Sequence, residues 1–155
     1  MNLLTLLPYK WSVWVKLSWR EKALLMQALL WLILVSVLLE WWGMGRTQSL
    51  LTKLSAQLET KSLLVSQYQL EQTVRIVAIA ARHSRLWTNC LKKSLVLWYM
   101  LRRQQIPSEL RIGVRLAGGF KAHAWIEHQG IVLNDSPQVH QDFAMFELPI
   151  EVRAS

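Results

Sequence analysis

An apolar stretch near the N-terminus, residues 23–39, restricts most strongly how this chain can fold. Its seventeen residues include only two polar side chains, Gln27 and Ser36, and their spacing places them on opposite sides of an α-helix. The predicted helix is therefore apolar all round. At about 1.5 Å per residue it is roughly 25 Å long, which falls short of a hydrocarbon core of about 30 Å. We expect this surface to be buried in the protein or beneath a partner, to lie in a membrane interface, or to span a membrane.

The flanks of this stretch are typical of a membrane interface. Basic residues precede it, and six of the nine tryptophans fall within the first 42 residues. Tryptophan and cationic side chains are enriched where a helix meets the headgroup region. Gly43 and Gly45 are expected to end the helix. Residues 1–45 are accordingly predicted to form an apolar helical segment, and residues 46–155 a second, catalytic domain.

Composition excludes several classes of protein. The chain of 155 residues is 52% hydrophobic and 18% charged, with a net charge of +8, so it is not intrinsically disordered. A single cysteine excludes an intramolecular disulfide framework and a cysteine-rich zinc module. The basic charge is compatible with nucleic acid, an anionic membrane or an acidic peptide. No nucleic-acid recognition motif accompanies it, and neither nucleic-acid binding nor a cofactor is predicted.

The remainder of the chain predicts an α+β domain. Leucine and valine recur at helical spacing over residues 46–84, which indicates one or two amphipathic helices with a break near Thr60. Thr88 or Asn89 is a candidate N-cap for a helix from Cys90 to Arg103, which Pro107 follows. Apolar and polar residues then alternate, and glycine-containing turns divide them. The predicted strands cover residues 110–116, 120–127 and 131–134.

Cys90, His123 and Asp135 together predict nucleophilic catalysis. At the first turn of a helix, free backbone N–H groups and nearby cations stabilise a thiolate. A cysteine nucleophile also needs a base, and the base needs a third group that fixes its orientation. His123 lies within the second predicted strand and Asp135 ends the third, so an antiparallel pairing brings them roughly opposite each other. A buried, unreactive Cys90 is the alternative.

Other polar and aromatic residues near these positions are expected to have supporting or no roles. Trp125 shares the face of His123 and is expected to pack in the core, or else to wall a cleft. Glu127 is expected to be solvated, Ser94 to pack or cap, and the remaining histidines to lie on the surface. No metal site is predicted, because neither a histidine pair at ligand spacing nor a cysteine pair is present.

These residues resemble the lasso-peptide biosynthesis B proteins, which are microcin-processing, transglutaminase-like leader peptidases. The resemblance extends from about Val74 to Asp135 and is carried by residues 90–95 (CLKKSL), 120–127 (FKAHAWIE) and 132–135 (VLND). The cysteine, histidine and aspartate of these three runs fall where that family has its catalytic triad. Nothing in residues 1–73 resembles the leader-recognition element of fused members.

The resemblance implies a papain- or transglutaminase-like core, in which a helix with Cys90 at its N-terminus packs on a small antiparallel sheet. It implies a cysteine peptidase that removes the leader of a ribosomally made precursor, with His123 as base and Asp135 as its orienting group. The implied partners are the precursor, a separate leader-recognition protein and a cyclase of the same pathway. A non-catalytic membrane-associated scaffold and a thioester-forming acyltransferase are the alternatives. We expect the catalytic part to lie in the cytoplasm, either free or associated with the inner face of the membrane.

Overall fold

The computed structural model describes residues 17–56, 67–84, 88–116 and 118–145. Within them lie three long helices, a four-stranded sheet and one short helix. The helix break predicted near Thr60 lies outside the described residues. The elements in chain order are α1 (Trp19–Ala56), α2 (Gln67–His83), α3 (Cys90–Arg103), β1 (Glu109–Arg115), β2 (Lys121–His128), β3 (Ile131–Val132), α4 (Val139–Asp142) and β4 (Ala144–Met145).

Helix α1 contains the apolar stretch and is longer than the sequence predicted. Gly43 takes non-helical dihedral angles (φ 73°, ψ 179°) and kinks the helix. The chain then resumes a helical course to Ala56. Gly43 therefore ends the first helical run, as predicted, whereas Gly45 lies within the helix that follows the kink. Gly43 alone interrupts the helix, because its positive φ is open to glycine without steric cost. The boundary predicted at residue 45 falls within α1, and as a domain boundary it stays a prediction.

By length and composition α1 could cross a membrane. Within the segment Trp19–Ser55, the most apolar window of 18 residues has a mean hydropathy of 2.2, and 28% of that window is buried inside the protein. This is the one such helix in the part of the chain that the structure describes. Its buried residues nonetheless belong to the common core, so α1 also has a packing role in the fold.

Helix α3 begins and ends where the sequence predicted. Asn89 is the N-cap: it takes extended dihedral angles, and its side chain accepts a hydrogen bond from the backbone N–H of Lys92 at 2.9 Å. That bond satisfies one of the free donors of the first turn. All residues from Ser94 to Leu101 are buried, so α3 lies at the centre of the molecule.

The sheet is antiparallel and has the order β3-β2-β1-β4. Strands β1 and β2 pair along their full lengths, with Gly113 opposite His123. Strand β3 is shorter than the predicted strand 131–134, because it pairs with β2 only over Ile131–Val132. The hydrogen bond from the Leu133 N–H to the Ile126 carbonyl continues the same register for one further residue. The observed β3 is thus a two-residue strand that leads into an irregular segment.

One hydrophobic core joins the helices and the sheet. Its buried members come from α1 (Leu32), α2 (Ile76), α3 (Leu95) and β2 (Ile126). Trp31 of α1 packs on Tyr99 of α3, with ring centroids 4.2 Å apart. The predicted α+β class is confirmed, with a helical layer packed on an antiparallel sheet.

Candidate active site

The N-terminus of α3 carries the single cysteine of the chain. Cys90 is the first helical residue and is partly exposed. The Asn89 cap holds this first turn in shape, and the Lys93 N–H donates to the Asn89 carbonyl at 3.0 Å. A cysteine at this position lies in the positive field of the helix N-terminus. The local sequence therefore presents the thiol at a fixed, accessible helix end.

Helix α3, which begins at Cys90, is joined to strand β2, which carries His123, by a side-chain hydrogen bond. The connection from α3 to β1 is short, and β1 is antiparallel to β2. Ser94 fixes the alignment, because its hydroxyl donates to the Ala124 carbonyl at 2.9 Å. Cys90 precedes Ser94 by about 6 Å of helix and His123 precedes Ala124 by about 3.3 Å of strand. Cys90 is thus one helical turn, and His123 one strand residue, from the contact that joins the two elements.

His123 and Asp135 lie within hydrogen-bond distance of each other, as the predicted antiparallel pairing of their strands leads one to expect. The Nε2 atom of His123 lies 2.6 Å from Oδ2 of Asp135, and the two side chains are 23% and 27% exposed. In the β2–β3 register, Glu127 lies opposite Val132. If that register continued, residue 136, and not Asp135, would lie opposite His123. Asp135 reaches the imidazole from the irregular segment after β3, and the predicted strand would have ended at Asn134. A neutral ring that donates from Nε2 to the carboxylate keeps its lone pair on Nδ1.

Asn134 fixes that irregular segment, a role that sequence reasoning missed. Its side-chain oxygen accepts from the Ile126 N–H at 2.8 Å, and its amide nitrogen donates to the Ser94 hydroxyl at 2.9 Å. Its carbonyl oxygen accepts from Nζ of Lys93 at 3.0 Å. These three bonds join the segment to β2 and to α3. Asn134 therefore fixes the position of Asp135, which the sequence had led us to assign to strand pairing. The adjacent Asn-Asp at a strand end was the available signal.

Asp135 is held in its ionised form. Partial burial raises the pKa of this carboxyl, but the hydrogen bond with His123, the Ser136 N–H at 2.7 Å and the charges of His123 and Lys93 outweigh it. The net effect lowers the pKa of Asp135 below its usual value. A carboxylate that stays charged can orient the imidazole and stabilise its protonated form.

Two aromatic rings flank the imidazole of His123. The ring of Phe143 stacks on it with centroids 5.0 Å apart, and the ring of Trp125 lies at 6.2 Å. Trp125 is fully buried, so its predicted place in the core is confirmed, and it also borders the candidate site. Sequence reasoning missed Phe143, which lies beyond the strands that were predicted with clear periodicity.

Glu127 corrects the sequence prediction. Expected to be solvated, its side chain is only 7% exposed. It accepts hydrogen bonds from Nε1 of Trp125 at 2.7 Å and from Nε of Arg111 at 3.2 Å. His140, expected on the surface, is partly exposed and places Nε2 3.4 Å from the same carboxylate. Glu127 is buried because it satisfies these donors, and it thereby fixes the indole beside His123.

Ser94 is packed in the interior, as expected, and it also has a hydrogen-bonding role that the sequence did not predict. It is fully buried, and its hydroxyl both donates to Ala124 and accepts from Asn134. It therefore joins the helix that carries Cys90 to the strand that carries His123 and to the segment that carries Asp135. The three candidate residues come from three elements, and Ser94 contacts each of those elements.

A cavity of about 300 Å³ opens beside Asp135. Its walls are mainly apolar and come from α2, α3 and the segment after β3. Three of the lining residues, Lys93, Asn134 and Asp135, have polar side chains. The lining residues are Val74, Val77, Ala78, Lys93, Leu97, Leu133, Asn134 and Asp135.

Comparison with known proteins identifies one family. The family model described as the transglutaminase-like superfamily matches residues 31–147, which include all three candidate residues and most of the described fold. Proteins with this fold are generally cysteine proteases or acyltransferases. No curated protein and no solved structure matches the chain significantly.

Proposed function

This chain belongs to the transglutaminase-like superfamily, and we propose that it is a cysteine peptidase that cleaves the leader from a ribosomally made, lasso-type precursor peptide. The observation that carries the proposal is the His123–Asp135 pair at 2.6 Å on a strand that runs alongside the helix beginning at Cys90. A histidine oriented by a carboxylate beside a helix-terminal cysteine is the arrangement that thiol acyl transfer requires.

The proposed reaction has two halves. Nδ1 of His123 takes the proton of the Cys90 thiol, and the thiolate attacks the carbonyl carbon at the junction of leader and core. The tetrahedral intermediate collapses to a thioester as the protonated His123 gives its proton to the leaving amine. Water, deprotonated by His123, then attacks the thioester and releases the leader as a carboxylic acid, while the thiol regains its proton. Asp135 stabilises the imidazolium in both halves.

The oxyanion of the intermediate needs hydrogen-bond donors. The backbone N–H of Cys90, at the start of α3, is the donor we assign by position. The adjoining cavity, with its apolar walls, fits a small apolar side chain of the peptide substrate near Asp135. The peptide would thus lie across the N-terminus of α3, with one side chain towards α2.

The assignment to lasso-type precursors depends on the sequence runs around Cys90, His123 and Asp135. They resemble the corresponding runs of the leader peptidases of that pathway. We propose a separate leader-recognition protein as the partner that delivers the substrate, and a cyclase that acts on the freed core peptide. The two proteins and the precursor should be encoded near this chain.

The test is cleavage of the precursor encoded beside this chain, with the neighbouring recognition protein present. We expect Cys90→Ala and His123→Ala to lower the cleavage rate at least about 10⁴-fold, because each removes a group that makes or breaks bonds. Asp135→Asn should lose less, about 10²-fold, because it disturbs orientation only. Mass spectrometry of leader and core gives the rate and the cleaved bond.

Matched controls keep the result specific. His83→Ala and Asp142→Asn change the same residue types at exposed positions and should leave the rate unchanged. Thermal unfolding of each variant separates lost chemistry from lost folding. Full activity in Cys90→Ala would overturn the assignment of the nucleophile.

Acyl transfer to an amine is the second candidate, since the superfamily match covers both proteases and acyltransferases. The thioester formed at Cys90 can be resolved by an amine in place of water. Adding hydroxylamine during cleavage distinguishes the two outcomes. A peptidase releases the leader chiefly as a carboxylic acid, whereas a transferase converts it to the hydroxamate in proportion to the amine.

A further inference from the structure

Helix α1 has two opposite faces before its kink, and only one of them is covered. At about 100° per residue, the buried residues of α1 from Glu21 to Ser36 occupy an arc of about 100°. The exposed large apolar residues occupy another arc of about 100° on the other side of the helix. This exposed stripe consists of Met26, Leu30, Ile33, Leu34, Val37 and Trp41, which are 42–81% exposed, and it begins at Trp19, which is 87% exposed.

The stripe contains no charged side chain between Trp19 and Trp41. Those two residues are separated by about 33 Å of helix, so the uncovered surface is long as well as apolar. Apolar patches of this extent mark interaction sites with proteins or membranes. A tryptophan stands at each end, and Arg20 and Lys22 border the first turn, where the Lys22 ammonium lies 5.5 Å from the Trp19 ring centroid.

The charges of α1 point to an anionic lipid surface. Both carboxylates of the helix are paired with cations of the neighbouring helices: Glu21 with Arg75 of α2, and Glu40 with Lys92 of α3 at 3.7 Å. Arg20 and Lys22 add positive charge at the border of the stripe, on a chain of net charge +8. An apolar face with tryptophans and basic borders is the composition of helices that lie in the headgroup region of a membrane. We propose that the exposed stripe of α1 docks this protein onto a membrane surface that contains anionic lipids.

The opposite face of α1 fixes the orientation of this docking. It belongs to the core with α2 and α3, and through Trp31 it packs on Tyr99. If α1 crossed the bilayer in this fold, it would draw charged residues of α2 and α3, such as Arg75 and Lys92, into hydrocarbon at a high energetic cost. The helix therefore lies parallel to the membrane plane.

Docking in this orientation also brings the candidate site near the membrane. The Glu40–Lys92 pair joins the C-terminal end of the stripe to the first turn of α3, two residues from Cys90. The site would therefore work close to the lipid surface. The docking proposal itself does not depend on the peptidase activity, and its test uses no substrate.

The test is flotation of the full-length protein with vesicles. We expect it to float with vesicles of phosphatidylcholine and about one third phosphatidylglycerol, more weakly with phosphatidylcholine alone, and less at high salt. The variant Leu30→Glu/Ile33→Glu/Val37→Glu places charge in the stripe and should lower partitioning about 100-fold or more. Because all three residues are exposed, thermal unfolding should show that this variant still folds.

A matched control makes the same chemical change elsewhere. Tyr68, Leu116 and Ile131 are exposed apolar residues on other elements, and Tyr68→Glu/Leu116→Glu/Ile131→Glu should still float with anionic vesicles. The proposal is overturned if the wild type does not float, or if the two triple variants partition equally. Loss of a wild-type dimer in the stripe variant without any vesicle binding would instead make the stripe a contact between two copies. Resistance to alkaline carbonate extraction would overturn the interfacial orientation in favour of a span.

Discussion

At the scale of single residues, the site depends on a carboxylate that remains charged. Asp135 is partly buried, yet its pKa is lowered because the hydrogen bond with His123, together with the Ser136 N–H and nearby cations, outweighs the burial that would raise it. Asp135 therefore stays ionised, and able to orient the imidazole, down to a lower pH than an ordinary aspartate would.

The same lowered pKa makes a prediction about stability. A carboxyl whose pKa is lower in the folded than in the unfolded protein stabilises the fold above its unfolded pKa of about 4, and this contribution disappears as pH falls through the folded value. The difference in free energy of unfolding between wild type and Asp135→Asn should therefore be larger near about pH 6 than near about pH 3. Urea unfolding at the two pH values measures it. A difference that is constant or grows on acidification would contradict the assigned cause.

Glu127 shows what residue-level reasoning from sequence could and could not reach. Alternation along the strand placed Glu127 on the face of Trp125 and His123, and the structure confirms that its carboxylate meets the indole. Alternation predicts the face of the sheet on which a side chain lies but not how deeply it is buried, because burial depends on elements distant in sequence. Arg111 of β1 and His140 of α4 contact the carboxylate. The spacing of residues along β2 cannot predict these contacts.

At the scale of secondary structure elements, the packing between β1 and the segment after α4 determines where the imidazole sits. Gly113 lies opposite His123. A Cβ atom at Gly113 would fall 2.9 Å from Cβ of Phe143 and 2.9 Å from the tip of the Trp125 ring. Because Gly113 has no side chain, both aromatic rings can pack beside the histidine.

We therefore expect Gly113→Ala to be destabilising, by about 1–3 kcal/mol. It should also slow cleavage, because Phe143 and Trp125 must shift against His123 to admit the methyl group. Urea unfolding and the cleavage rate measure the two effects. Gly45→Ala is the matched control: a Cβ there meets nothing within 4 Å, and alanine favours a helix by about 1 kcal/mol over glycine. The prediction fails if the two variants have equal stability.

The elements themselves were predictable to different degrees. Helix α3 was found with its bounds because its cap, its buried side and the following Pro107 all lie within about one element of sequence. Strand β3 was predicted too long, because the side chain of Asn134, rather than strand pairing, holds the residues that follow it. The sequence predicted an apolar helix up to its glycines and an amphipathic helix from residue 46; the structure joins the two across the kink at Gly43, and residues after it such as Leu51 pack in the common core.

At the scale of the whole molecule, α1 is both a wall of the core and the carrier of an uncovered apolar face. Its buried side and its exposed stripe belong to the same turns of helix. Apolar periodicity therefore could not reveal the division, since a helix that is apolar all round has no polar side. Only the positions of α2 and α3 distinguish the two faces, and those positions come from the tertiary structure.

This arrangement predicts the compartment of the catalytic residues. With α1 parallel to the membrane, we propose that the site stays in the cytoplasm, where the precursor is made and where a lone thiol remains reduced. A reporter enzyme that is active only outside the cytoplasm, fused after Ser155, should be silent. The same fusion with a reporter that is fluorescent in the cytoplasm is the control and should be bright. Activity of the first reporter would show that the helix spans the membrane.

The distribution of the three candidate residues along the chain has a consequence for the order in which the site assembles. His123 and Asp135 are 12 residues apart in sequence, whereas the contact that fixes α3 on β2, from Ser94 to Ala124, spans 30. Closing the shorter loop costs less chain entropy, so the histidine and its carboxylate can meet while the hairpin forms. The thiol, together with the bonds from Ser94 and Lys93 that hold the segment of Asp135, is added only when α3 docks. A newly synthesised chain would thus acquire its nucleophile last, and its reactivity would begin with the completion of folding.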